Sequence, residues 1–134
     1  QYAALIQAKY AVNDGDYDAA EAELNWVLAQ GPDAAIKAQT QLRLARVQFA
    51  KGELDAALAI AEGLKDGSAA VQALELQGDV MRAQGDKAAA LEAYRQADAI
   101  NRQQENPLNN PLLKMKINSL AAEQGADKNT TAQN

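Results

Sequence analysis

This 134-residue chain has eighteen acidic side chains, thirteen Lys and Arg, no histidine and no cysteine. Cys/His zinc sites and Ser/His or Cys/His nucleophile–base pairs are therefore excluded. Asp14, Asp16 and Asp18 are the cluster that could suggest a metal loop. They lack the glycine and terminal glutamate positions of an EF-hand and straddle a helix start. Capping and solvation are the better reading. Glu21 and Glu23 beside them read as a solvated face. No phosphate loop or dinucleotide fingerprint is present. The chain reads as a non-enzyme without a cofactor or metal. What it offers is binding chemistry. Leu42, Arg46 and Phe49 follow at spacings of four and three, which is one side of a helix about 10 Å long. Such a row can hold a hydrophobic stretch while the guanidinium reaches a backbone carbonyl or a carboxylate.

The elements that carry this row are set by a repeated turn. NDGDYDAAEAE at 13–23, AKGELDAALAI at 50–60 and AQGDKAAALEA at 83–93 share the pattern Gly-acid-x-x-Ala-Ala. Each lies where one run of helical apolar spacing stops and the next begins. Glycine ends the first helix and the acid meets the free N–H groups of the second. The alanine pair lets the two helices approach closely. Gly15, Gly52 and Gly85 recur at intervals of 37 and 33 residues. A period near 34 with two helices per unit predicts tetratricopeptide repeats, at about 1–34, 38–70 and 71–104. Leu74, Gly78, Ala90, Tyr94 and Ala97 match that repeat best. Alanine occurs 31 times against six aromatic residues, which suits close helix packing.

Along the chain, Leu5, Ala8 and Val12 mark an opening helix, and Tyr17, Ala20, Leu24, Val27 and Leu28 the next. Pro32 suits the first position of the following helix, and Ser68 can cap the one after 67. Pro107 ends the last repeat, and Asn110-Pro111 opens a helix expected over about 110–123. Leu113, Ile117 and Leu120 would let this helix cap the stack. Residues 124–134 have little to bury and read as a disordered tail. The fold expected is all-α: a tetratricopeptide-like right-handed stack of three helical hairpins plus a C-terminal capping helix, one domain over 1–123.

Repeat arrays bind polypeptides on the concave face lined by the first helix of each pair. Aligning the turns places Leu5, Lys9, Gln39, Leu42, Arg46, Phe49, Gln72, Glu75, Asp79 and Arg82 there, with Tyr2 beside them. An ordinary amphipathic surface is the bland alternative. Tyr94 reads as core. Trp26 lies off the stripe of its helix, and packing at a neighbouring helix edge is expected over exposure. Tyr2, Leu5, Ile6 and Tyr10 exceed what one stripe needs, so the first helix is a candidate for self-association. A net charge of −5 argues against a nucleic-acid surface. No apolar run approaches the roughly 20 residues needed to span a bilayer, so no membrane contact is expected from this stretch itself.

Three strings are more particular than a generic repeat: LRLARVQ at 42–48, GDVMRAQGDKAAALEAY at 78–94 and MKINSLA at 115–121. In this order and spacing they resemble the YfgM family, an ancillary subunit of the SecYEG translocon. The resemblance covers about residues 1–123. It implies a cytosolic segment and one transmembrane helix upstream of Gln1, absent from this chain, with a periplasmic repeat domain anchored to the inner membrane. It further implies a chaperone-like role on emerging, unfolded secretory polypeptides, with SecYEG and a PpiD-type chaperone as partners. The alternative reading is a generic repeat scaffold that assembles one folded partner.

Overall fold

The computed structural model describes residues 15–105, 107 and 109–133. The expectations for Tyr2, Leu5, Ile6, Lys9 and Tyr10, and for self-association through the first helix, lie outside the described residues. Helices follow one another as α1 (Tyr17–Ala29), α2 (Ala34–Ala50), α3 (Leu54–Leu64), α4 (Ala70–Ala83), α5 (Lys87–Gln103) and α6 (Pro111–Gln133). No strand occurs among the described residues. Each helix packs on the next, and α2 also touches α4. This is a stack of antiparallel hairpins in which the first helices of successive pairs are neighbours.

The turns at Gly52 and Gly85 close as expected, but Glu53, expected to cap the helix that follows it, makes no side-chain cap bond and pairs with Lys51 instead. At the end of α2 the Glu53 N–H donates to the Gln48 carbonyl at 2.8 Å. At the end of α4 the Asp86 N–H donates to the Met81 carbonyl at 2.9 Å. Both closures need a left-handed residue just before, supplied by Gly52 (φ 83°) and Gly85 (φ 88°). Asp16, Asp33 and Asp86 then cap α1, α2 and α5 by accepting from the N–H groups of Ala19, Ile36 and Ala89. Gly85→Ala should lower stability by roughly 1–2 kcal/mol, read by denaturant melting, because it forces a Cβ into the left-handed region.

Four further local expectations are corrected. Pro32 precedes the cap residue Asp33 and is not the first helical residue. Ala69, without a side-chain cap bond, begins α4, because a turn from Lys65 to Ala69 holds Ser68 one residue too early. Glu21 is not simply solvated: Lys51, on the α2–α3 turn, binds it at 2.7 Å and also binds Asp18 at 2.8 Å and Glu53 at 3.3 Å. The hydrogen bonds that Lys51 donates to Asp18 and Glu21 hold its pKa above the usual lysine range. Trp26 is 51% exposed. Leu24 and Val27 fill the buried face of α1, and the indole points away from it.

The core has three parts. Leu24, Val27, Leu44 and Val47 join α1 to α2. Leu42, Ala45, Ala61 and Leu76 join α2 to α3 and α4. Val71, Leu74, Leu91, Tyr94, Leu113 and Leu120 join α4, α5 and α6. The middle helix α2 is thus buried on two sides, and Thr40 within it donates to the Ile36 carbonyl at 2.6 Å. The last helix covers α5 as a cap should, through Leu113 and Leu120. Ile117, expected to share that work, is only partly buried. The helix continues to Gln133 instead of stopping near Glu123. Nothing after Pro111 breaks it, since Gly125 meets no steric obstacle and lacks a positive φ.

Candidate functional site

The groove side of the stack is built from α2 and α4. Residues 46 and 49 on α2, and 72, 75, 76 and 79 on α4, are spaced at three and four, so each set forms one helix face. Asn110 opens α6 by accepting from the Leu113 N–H at 3.1 Å, and Pro111 fills its first position. This start aims Leu112 and Lys116 back at α4. The result is a cleft of about 280 Å³ lined by Arg46, Phe49, Gln72, Glu75, Leu76, Asp79, Leu112 and Lys116.

Five of the residues expected on this face therefore meet in one cleft: Arg46, Phe49, Gln72, Glu75 and Asp79. Gln39 and Arg82 are exposed on the same helices but do not line it. Leu5 and Lys9 lie outside the described residues. Leu42 is a correction. It is 2% exposed and packs with Ala45, Ala61 and Leu76. A helix in the middle of a stack turns leucines to both neighbours, so Leu42 is core and the apolar side of the cleft comes from Phe49, Leu76 and Leu112.

Lys116 was not among the expected site residues, yet it organises the floor. Its Nζ lies 3.0 Å from Glu75 Oε1 and 3.0 Å from Asp79 Oδ1. All three side chains are no more than 26% exposed. The Asn110 amide donates to Glu75 at 3.4 Å, and the Tyr94 hydroxyl donates to Asp79 at 2.5 Å. The ammonium also sits 5.7 Å from the centre of the Tyr94 ring, within reach of its negative face. A sequence signal for Lys116 did exist. It falls three residues after Leu113 and four before Leu120, on the stripe that faces the stack. A lysine there requires a carboxylate partner.

Burial alone would lower the Lys116 pKa, but its bonds to Asp79 and Glu75 outweigh that and raise it. Burial raises the Tyr94 pKa, and the bond to Asp79 adds to the shift. Both groups are held in their protonated forms by the fold. Their contribution to stability is complete below their unfolded values of 10.0 and 10.5 and is lost as pH rises past these. The melting temperature should therefore fall progressively as pH rises above about 10, with Lys51 adding to the fall. Tyr94→Phe with Lys116→Met should flatten that fall. A double variant with an undiminished alkaline drop would place its cause elsewhere.

The hairpin stack and its groove define a helical-repeat binding domain. The chain belongs to the tetratricopeptide repeat-like domain family, whose model matches residues 1–122. Its relatives narrow this to one kind of protein and bear out the resemblance to YfgM. An ancillary SecYEG translocon subunit of Haemophilus influenzae is 39% identical over 119 residues, covering 89% of this chain and 56% of that protein. Proteins with the same description from Neisseria gonorrhoeae and Escherichia coli K12 are 34% and 35% identical, over 88% and 89% of this chain. The chain spans 56% of the length of each of them.

Proposed function

We propose that this domain is a non-catalytic adaptor that works beside the SecYEG translocon and contacts emerging secretory polypeptides through the α2–α4–α6 cleft. The observation that carries this reading is the cleft itself. It joins apolar surface on Phe49, Leu76 and Leu112 to an exposed guanidinium on Arg46, on the face where helical repeats hold peptides. Its relatives' shared description supports the setting. In this reading the domain lies in the periplasm, tethered by an upstream transmembrane helix, and hands chains to a PpiD-type chaperone. Contact is brief and tolerant of sequence, since a small open cleft grips one or two side chains. Among the described residues no helix is long and apolar enough to cross a membrane.

Photo-crosslinkers at Gln72 and Leu112 of the membrane-bound parent protein test this. They should label a translocating chain at least several-fold more than probes at Glu92 and Arg95, which are exposed on α5. Equal labelling from both sets would reject the cleft. A second reading, a scaffold for one folded partner, is favoured by a single observation. Trp26 is half-exposed on α1 and does not line the cleft, and exposed tryptophans often anchor interfaces. It is the chain's one tryptophan, so its emission reports contact directly. A blue shift on adding translocon or chaperone, with co-purification of that partner lost in Trp26→Ala without a change in melting, would assign it that role. An emission unchanged by either partner would remove it.

A further inference from the structure

We infer that the cleft selects polypeptide segments carrying a carboxylate two residues from a large apolar side chain. This rests on the reading of the cleft as a polypeptide site and concerns which segments it prefers. The chain carries a net charge of −5, which by itself would repel acidic ligands. The cleft cancels that charge locally, with two cations against two carboxylates. Its two carboxylates are already engaged: Glu75 by Lys116 and Asn110, Asp79 by Lys116 and Tyr94. A cationic ligand would have to displace Lys116 from both. Arg46, in contrast, is exposed and has no ion pair or hydrogen bond with any described residue. Arg82, one turn beyond Asp79 along α4 and outside the cleft, likewise has no ion pair or hydrogen bond with any described residue. The cleft's charges balance, Arg46 and Lys116 against Glu75 and Asp79, and the charged group left unpaired for a ligand to meet is the Arg46 guanidinium.

The spacing follows from the same residues. Arg46 and Phe49 are three apart on α2, so their Cβ atoms are roughly 5–6 Å apart. In an extended segment, side chains on one side are two residues and about 6–7 Å apart. An apolar side chain against Phe49, Leu76 and Leu112 therefore puts the carboxylate of the second-next residue at Arg46. The planar guanidinium can take it through two parallel hydrogen bonds, which a backbone carbonyl cannot accept. A cleft of about 280 Å³ has room for this pair of side chains and little more.

Fluorescence anisotropy on the whole 134-residue chain, with dye-labelled peptides of about twelve residues, tests the preference. Three peptides share apolar content and differ only at the position after Leu-x: Asp, Asn or Lys. The Asp peptide should bind roughly three- to ten-fold tighter than the Asn peptide, the range expected for a partly exposed charged pair. High salt should erase that margin. Arg46→Gln should bring the Asp peptide to the level of the Asn peptide. Arg43→Gln, an exposed cation of the same helix outside the cleft, should leave the margin intact. Equal binding of all three peptides, or tighter binding of the Lys peptide, would overturn the preference while leaving the polypeptide site standing. A margin that survives Arg46→Gln would overturn the role of Arg46. No binding by any peptide would overturn both the preference and the reading beneath it.

Discussion

Tyr94→Ala should lower the stability of the domain by about 3–5 kcal/mol. The ring is fully buried among residues of α4, α5 and α6, so truncation leaves a cavity that three helices cannot easily close. Its place is prepared by Gly78. A Cβ at residue 78 would overlap the Tyr94 ring, and this is why α4 accepts a glycine in mid-helix. Gly78→Ala sets a helix-propensity gain of about 1 kcal/mol against that overlap, and overpacking costs about 1–3 kcal/mol. Its net effect should be destabilising but smaller. Tyr94→Phe keeps the ring and removes the hydroxyl that donates to Asp79. It should cost about 0.5–1.5 kcal/mol, because Asp79 retains Lys116. Chemical denaturation followed by circular dichroism ranks the three. A Tyr94→Ala domain no weaker than Tyr94→Phe would mean the ring is not the keystone of this layer.

The sequence made the turns legible because each is chemically local. Glycine, an acid and an alanine pair can fix a left-handed stop, a cap and a close approach within eight residues; the glycine stop forms at all three turns, and the acid caps at Asp16 and Asp86 but not at Glu53. The inner row of α4 was legible for a related reason, since helical spacing brings Gln72, Glu75 and Asp79 to one side whatever they face. Leu42 was misassigned because spacing reports a face and not what covers it. Its helix has neighbours on two sides, and only the three-dimensional stack shows that α3 and α4 close over it. Trp26 fails in the opposite direction: a large apolar ring is expected to pack, yet Leu24 and Val27 already fill the space. Lys116 was hidden because its meaning is long-range. Its partners are 41 and 37 residues away, and nothing near it in the chain announces them.

That long-range tie makes the last helix part of the site as well as a cover. Leu112 and Lys116 project to the cleft while Leu113 and Leu120 project to the core. One helix thus couples the shape of the groove to the stability of the stack. Loosening α6 would take away an apolar wall and leave Glu75 and Asp79 without their ammonium. The cleft would then turn from balanced to net negative, with Arg46 alone against the two carboxylates.

Leu113→Ala with Leu120→Ala is the sharpest test of that coupling. Both side chains are fully buried, and each truncation should cost about 2–5 kcal/mol. They stand seven residues apart, about 10 Å along the helix, so their effects should nearly add. A combined loss of roughly 4–10 kcal/mol approaches the whole stability of a domain this size. The double variant should either unfold or release α6, and peptide binding should go with it. Leu112→Ala supplies the contrast. Leu112 is 55% exposed, so its removal should change stability by no more than about 0.5 kcal/mol while stripping the cleft of a wall. Peptide affinity should fall in this variant with the melting curve unmoved. If the double variant kept full affinity with α6 detached, as judged by proteolysis after residue 105, the groove would belong to α2 and α4 alone. If Leu112→Ala bound peptide as well as the parent chain, α6 would be a cover without a share in recognition.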